Sequence, residues 1–288
     1  MCTLCSDCDI IYTLLGYGYA ILMKFYTSVS RYGNNLLYRG YENGQKVQKK
    51  IKYQPTLFVA TPKGDWKSID GVPCAPVLMD SMRDAKDWIQ TNKDTAGRQI
   101  FGNDKYIPAF INDEVPGDIE FNRNQINVST IDIEVASDEG FPEPEYANYP
   151  VISICLKNNI DNTYYVWGLN DYDVDSSIMT TNRVVYYQHE SELQLLQHFI
   201  AHWSTPSHCP DVITGWNVRF FDIPYLVNRC LKILGEDPVK RLSPWGLVEQ
   251  QNIQSYNRVQ QAYDLKGIAT DDYLKLFKKK PYTAQETN

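Results

Sequence analysis

The run from Ile126 to Val135 is β-branched and nearly continuous, and it carries two acids, Asp132 and Glu134. Branching at Cβ favours extended backbone over helix. An apolar run of this length reads as a central strand covered on both faces, the arrangement of α/β sheets. The two acids are two residues apart, so their side chains leave the same face of the pleat. Neighbouring carboxylates in an apolar strand repel each other and are costly to desolvate, so a positive charge is expected between them. A hard divalent cation, which prefers oxygen ligands, fits that requirement. The plainer alternative leaves both acids in water at the strand end.

The residues downstream of the run support an α/β fold. Val151 to Leu156 and Tyr164 to Trp167 read as strands separated by the polar turn Asn158 to Asn162. The period then changes. Leu193, Leu196, Phe199, Ile200 and Trp203 mark a helix after Ser191, Asp211 to Thr214 a short strand, and Leu226, Val227, Cys230, Leu231 and Leu234 a second helix ending at Gly235. Asp222 is placed to cap that second helix, with Pro224 tolerated in its first turn.

Upstream the pattern is of short strands. Lys24 to Ser30, Leu36 to Tyr41, Val47 to Tyr53 and Leu57 to Ala60 read as strands, with Asn34-Asn35 and Asn43-Gly44 as hairpin turns. Ser81 to Thr91 reads as a helix with Met82, Ala85, Trp88 and Ile89 on one face. The expected organisation is a small α+β domain over 23–124 and an α/β domain over 125–288. Residues 1–22 are expected to be a leader or over-extended start: the apolar stretch Ile10 to Leu22 is too short to span a bilayer and no basic residue precedes it.

With 288 residues, 43% hydrophobic and 22% charged, the chain has the composition of a globular protein rather than a disordered or membrane-embedded one. A net charge of −7 argues against wholesale coating of nucleic acid. The balance is uneven. Residues 1–125 hold 15 Lys and Arg against 14 Asp and Glu, whereas residues 126–288 hold 13 against 21. The basic hairpin bearing Lys46, Lys49, Lys50 and Lys52 could contact a polynucleotide, although such hairpins are usually just solvated. Cys2, Cys5 and Cys8 have zinc-knuckle gaps without a second ligand pair, and the other cysteines suit buried thiols. Asp171 to Asp175 begins like a calcium loop but lacks its glycine and terminal Glu. His198 and His202 lack the Glu of a metalloprotease helix and are expected at the surface.

The informative constellation is Asp132-Ile133-Glu134 on a strand, followed about ninety residues later by Asn217-Val218-Arg219-Phe220-Phe221-Asp222 at a helix start. At these residues the chain resembles the 3'-to-5' proofreading exonuclease of family B DNA polymerases, in particular the T-even-like bacteriophage type. Asp138 to Pro144, Arg241 to Pro244 and Tyr53-x-Pro55-x-Leu57-Phe58 extend the likeness, which covers about Met23 to Lys280.

The resemblance implies a ribonuclease H-like exonuclease domain, a mixed sheet with flanking helices, preceded by the small N-terminal domain. It implies proofreading hydrolysis of DNA with two Mg²⁺ ions, or Mn²⁺ in their place. Asp132 would bridge both metals, Glu134 would hold one and orient the water, and Asp222 would serve the second. Phe141 would stack on the unpaired terminal base. Asn217, Phe221 and Arg258 join it as DNA contacts, Arg258 from a hairpin near Tyr256-Asn257. The implied partners are the single-stranded 3' end of a primer, a C-terminal polymerase part in the same or a separate chain, and a sliding clamp reached through that part, with no membrane. The implied location is the cytoplasm of an infected bacterium.

The family's fourth carboxylate, an Asp four residues after a Tyr, is not matched: Tyr282 to Glu286 has the spacing but ends in Glu. The polymerase motifs are absent too. The expectation is a fragment or one part of a split DNA-directed DNA polymerase, dependent for activity on the remaining part; the alternative is a non-catalytic nucleic-acid-binding or polymerase-subunit module.

Overall fold

The computed structural model describes residues 24–279 apart from 96, 103–104, 116, 139, 173–182 and 256–257. The expected leader with Cys2, Cys5 and Cys8, most of the calcium-like loop, and Tyr282 to Glu286 lie outside the described residues.

The chain opens with an antiparallel meander of β1 (Lys24–Tyr32), β2 (Asn35–Glu42) and β3 (Gln45–Ile51). Asn43 and Gly44 both have positive φ, 51° and 79°, the geometry of a two-residue turn whose twist matches its strands. The first turn falls one residue earlier than its sequence signal, at Gly33-Asn34, because Tyr32 pairs with Asn35. A small four-stranded sheet follows, with β4 (Thr56–Ala60), β5 (Trp66–Lys67), β6 (Pro73–Leu78) and β7 (Ile100–Phe101). Between β6 and β7 runs α1 (Met82–Asn92), capped by the Ser81 hydroxyl accepting from Asp84 N–H, and after β7 comes α2 (Tyr106–Glu114). Leu36, Tyr38, Tyr53, Leu57, Met82, Ala85, Tyr106 and Phe110 close one hydrophobic core among these elements.

The larger sheet is built from β8 (Val128–Val135), β9 (Val151–Asn158), β10 (Thr163–Gly168), β11 (Arg183–Gln188), β12 (Val212–Gly215) and, near the chain's end, β15 (Ala269–Asp272). Its order is β11-β10-β9-β8-β12-β15, with β8, β12 and β15 mutually parallel and β9 antiparallel to β8. Helices α3 (Glu192–Trp203), α4 (Asp222–Leu234) and α5 (Glu236–Lys240) follow β11 and β12. A hairpin of β13 (Val248–Ser255) and β14 (Arg258–Leu265) precedes β15, and α6 (Tyr273–Lys279) follows it. Ile131, Ile133, Ile154, Leu156 and Trp167 of the sheet meet Leu196, Phe199, Trp203, Ile223 and Leu226 of α3 and α4 in the second core. Each such large side chain, fully buried, contributes about 1.5–3 kcal/mol. This mixed sheet with flanking helices agrees with the α/β class expected.

Three expectations change. The run in β8 is covered on one face only: Ser129, Ile131 and Ile133 are buried while Thr130, Asp132 and Glu134 are exposed. Alternation with polar residues, rather than the total of β-branched ones, set the burial. Asp222 is not the cap of α4 but its first residue; Phe221 occupies the cap position without a side-chain bond. His202 is not at the surface. It is 9% exposed, stacks on His208 at 4.0 Å and packs against Trp167 and Tyr165. All four histidines of the chain meet there, with His189 Nε2 and His198 Nδ1 3.0 Å apart.

The two cores are joined through one buried charge. Asp211, fully buried just before β12, faces Arg39 of β2 at 3.5 Å and Lys46 of β3 at 3.1 Å. It accepts bonds from the Tyr41 hydroxyl and the Asn127 N–H, and its carbonyl accepts from Ala269 at the start of β15. Arg39, 2% exposed, also donates to the carbonyls of Pro210 and Gly267. Lys46 is therefore committed to the fold rather than open to a polynucleotide, and Lys49 is paired with Glu42.

Asp211→Ala should lower unfolding free energy by about 3–5 kcal/mol in denaturant titration, since it strands the buried Arg39 guanidinium without its counter-ion. Acid sensitivity has a separate source. Burial, then the neighbouring histidines, lowers His202 to about 4. A base depressed in the folded state contributes stability above its unfolded value, and that contribution is lost as pH falls from about 6.5 through about 4. His202→Phe should remove this contribution, so the thermal midpoint of the wild type should fall relative to that of the variant across that window.

Candidate active site

Asp132 and Glu134 stand on the exposed face of β8, opposite Cys155 and Ser153 of β9. The neighbouring strand β12 pairs with β8 only over Val128–Thr130. Beyond that point the N–H of Ile133, between the two acids, donates to Asp222 Oδ1 at 3.2 Å. One short bond thus brings the head of α4 onto the stretch of β8 that bears both acids. Close approach also requires Gly215 at the end of β12, where a Cβ would lie 2.7 Å from the carbonyl oxygen of Ile131.

The segment between β12 and α4 is held by a residue that the sequence patterns do not single out. Asp272, 4% exposed at the end of β15, accepts from the N–H groups of Asn217 (3.2 Å), Arg219 (3.0 Å) and Leu274 (2.9 Å). Its place immediately before the apolar start of α6 was the available signal, since Asp at that position commonly caps a helix. Asn217 takes a positive φ of 59°, which Asn tolerates better than most residues, and its carbonyl accepts from Phe220 and Phe221.

The electrostatics here are those of grouped acids. Burial raises the Asp222 carboxyl to about 7, with the Asp132 charge adding to the rise and Asp272 contributing less. Burial and then the Asp132 charge lift the Cys155 thiol to about 11, so it is inert as a nucleophile. Among the described residues no group of three or more His, Cys, Asp or Glu side chains stands in a geometry that would hold a metal ion. Even so, the donor chemistry suits a hard divalent cation: all-oxygen acids converge on one short length of strand, and one of them is driven toward protonation by burial and by another's charge.

Aromatic groups border the acids. Phe141 is 76% exposed and lies 5.0 Å from Phe221, which in turn lies 5.8 Å from Tyr225. Asp132, Glu134, Asp222, Asn217, Phe221 and Phe141 are therefore gathered around the C-terminal ends of β8 and β12. Arg258 opens β14 in the expected hairpin, with its backbone paired to Ser255; its side chain lies outside the described residues.

Comparison with known proteins identifies the family. A sequence model of the DNA polymerase family B exonuclease domain matches residues 91–286. The chain is 32% identical to the DNA-directed DNA polymerase of Enterobacteria phage T4 over 286 residues, covering 91% of this chain and 31% of that protein. It is 31% identical to the DNA-directed DNA polymerase of Escherichia phage RB69, covering 92% of this chain and 32% of that protein. A shorter match, 33% identical over 107 residues, is to the DNA polymerase delta catalytic subunit of Dictyostelium discoideum, covering 37% of this chain and 9% of that protein. The chain spans about a third of the length of the phage relatives. A β8 bearing paired acids, an Asp-headed α4 bonded to it, and a family match over most of the same residues lead to one assignment: the chain belongs to the exonuclease domain family of the family B DNA polymerases.

Proposed function

We propose that this chain is the N-terminal and exonuclease portion of a replicative DNA-directed DNA polymerase, with domains over 23–124 and 125–288, and that its acidic cleft removes nucleotides from DNA 3' ends. The observation that carries the reading is the bond from Ile133 to Asp222, which gathers three carboxylates at one strand. Divalent metal ions, Mg²⁺ or Mn²⁺, would make water nucleophilic near neutral pH and neutralise charge on the scissile phosphate. Asp132, Glu134 and Asp222 would hold them. Without such cations an acidic cleft repels an anionic strand.

The remaining residues position the substrate. Phe141, exposed and backed by Phe221, offers a ring face to an unpaired terminal base, and stacking tolerates any base. Asn217 sits on a loop whose N–H groups are tied to Asp272, so it meets the strand end from a rigid support. Arg258, at the tip of the β13–β14 hairpin, is the proposed contact where primer parts from template. The polymerising part, the primer 3' end and a sliding clamp are the proposed partners, and the cytoplasm of an infected bacterium the proposed location. Among the described residues no helix is long and apolar enough to cross a membrane.

The test is digestion of end-labelled single-stranded DNA with and without Mg²⁺, by this chain and by this chain supplemented with the C-terminal polymerase part. Mg²⁺-dependent release of nucleotides from the 3' end is expected. Binding without digestion in both arms would mark a non-catalytic DNA-binding module instead. Asp132→Ala with Glu134→Ala should reduce digestion by more than the roughly 10–100-fold typical when a partner beyond the ligands is lost; undiminished activity would defeat the assignment.

Asp222 should also make stability depend on pH when metal is chelated. An acid raised from 3.8 to about 7 contributes stability below its unfolded value and loses it as pH rises toward 7. Asp222→Asn should therefore raise the thermal midpoint of the chelated protein at pH 8 relative to wild type, while abolishing digestion.

A further inference from the structure

A cavity of about 780 Å³ lies between the β1–β3 meander and the segments flanking α3 and α5, toward the N-terminal ends of the strands whose other ends carry the acids. Its size falls within the range of small-molecule sites. Four cations line it, Arg39, Lys46, Lys240 and Arg241, in a chain whose net charge is −7. Their commitments differ. Arg39 and Lys46 share the buried Asp211 carboxylate. Lys240 pairs with Asp237 at 2.8 Å, but both side chains are more than half exposed, and such a pair contributes little and yields readily to a better partner. Arg241 donates to the Ser204 hydroxyl at 2.7 Å, and among the described residues no carboxylate pairs with it. The cavity therefore carries more cation than the acids beside it neutralise.

The walls have a second character. Val47, Pro206 and Pro244 present apolar surface next to the charged rim. A guanidinium and an ammonium lining one cavity offer a phosphate opposite charge and several N–H donors. Apolar walls with serine hydroxyls would accept a base and sugar. We propose that this cavity binds a nucleoside phosphate, with its phosphate groups at Lys240 and Arg241 and its base against the apolar wall. Such a ligand would touch β3 on one side and α5 on the other, so its binding would stabilise the same junction that Asp211 holds. The site is separate from the carboxylate cleft and independent of metal.

Calorimetric titration of ATP, GTP and dTTP into the chain in excess chelator tests the proposal, with inorganic phosphate and an oligothymidylate as comparison probes. At least one nucleotide is expected to bind, more tightly than inorganic phosphate, and to raise the thermal midpoint. Lys240→Glu with Arg241→Glu should weaken that binding by roughly tenfold or more, as expected for losing charge-assisted contacts, while leaving Mg²⁺-dependent digestion unchanged. Asp132→Ala with Glu134→Ala should bind the nucleotide as wild type does. The proposal is overturned if no nucleotide binds, if the charge-reversed variant binds equally well, if inorganic phosphate binds as tightly, or if the oligonucleotide outcompetes every mononucleotide at this site.

Discussion

The carboxylate of Asp211 is the constraint on which the arrangement rests. Fully buried, it must be compensated, and the groups that compensate it come from separate parts of the chain: Arg39, Tyr41 and Lys46 from the meander, Asn127 from the start of β8. Its backbone adds Ala269 of β15. A single charge thus locates the N-terminal ends of β8, β12 and β15 relative to one another and to the first core. Apolar contact alone would tolerate sliding between these surfaces, because it is non-directional. A buried ion with several short bonds does not.

Because the three parallel strands are registered at those ends, their opposite ends are brought together as well. Asp132 and Glu134 of β8, Asp222 at the head of α4 and Asp272 of β15 converge there. The convergence is electrostatically unfavourable in the absence of cations, as the upward displacement of Asp222 to about 7 records. The fold meets part of that cost by hydrogen bonding: Asp272 receives three backbone N–H groups and Asp222 one from Ile133. Acid concentrated in the second half of the chain is therefore a local arrangement, and the net charge of −7 does not oppose the metal-dependent hydrolysis of DNA proposed above.

Much of this was legible in the sequence wherever the signal was local. Period-two spacing put Asp132 and Glu134 on one face, and Asn43-Gly44 marked a hairpin. Signals that depended on neighbours misled. The β-branched run suggested a strand covered on both faces, but among the described residues no layer buries the acid-bearing face of β8. Asp222 looked like a helix cap because Asp often is one, whereas its carboxylate is drawn to an N–H that β12 leaves unpaired. His202 read as a surface residue, yet Trp167 and Tyr165 enclose it. Helix α2, with Pro108 in its first turn, and the four-residue strand β15 carried too little periodicity to be seen.

The sequence by itself determined the chemistry available: paired acids on a strand, a further acid at a helix start, and a spacing between them that resembles one family. Those are properties of residue type and short-range geometry, which the chain carries whether folded or not. The tertiary structure decided which of these groups meet. Asp211 and Asp272 owe their roles mainly to distant partners, Tyr41 lying 170 residues from Asp211 and Asn217 55 residues from Asp272, and no local period encodes a contact at such separations. The basic cavity beside α5 has the same origin, since Arg39 and Arg241 share it only because the meander is clamped to the second core.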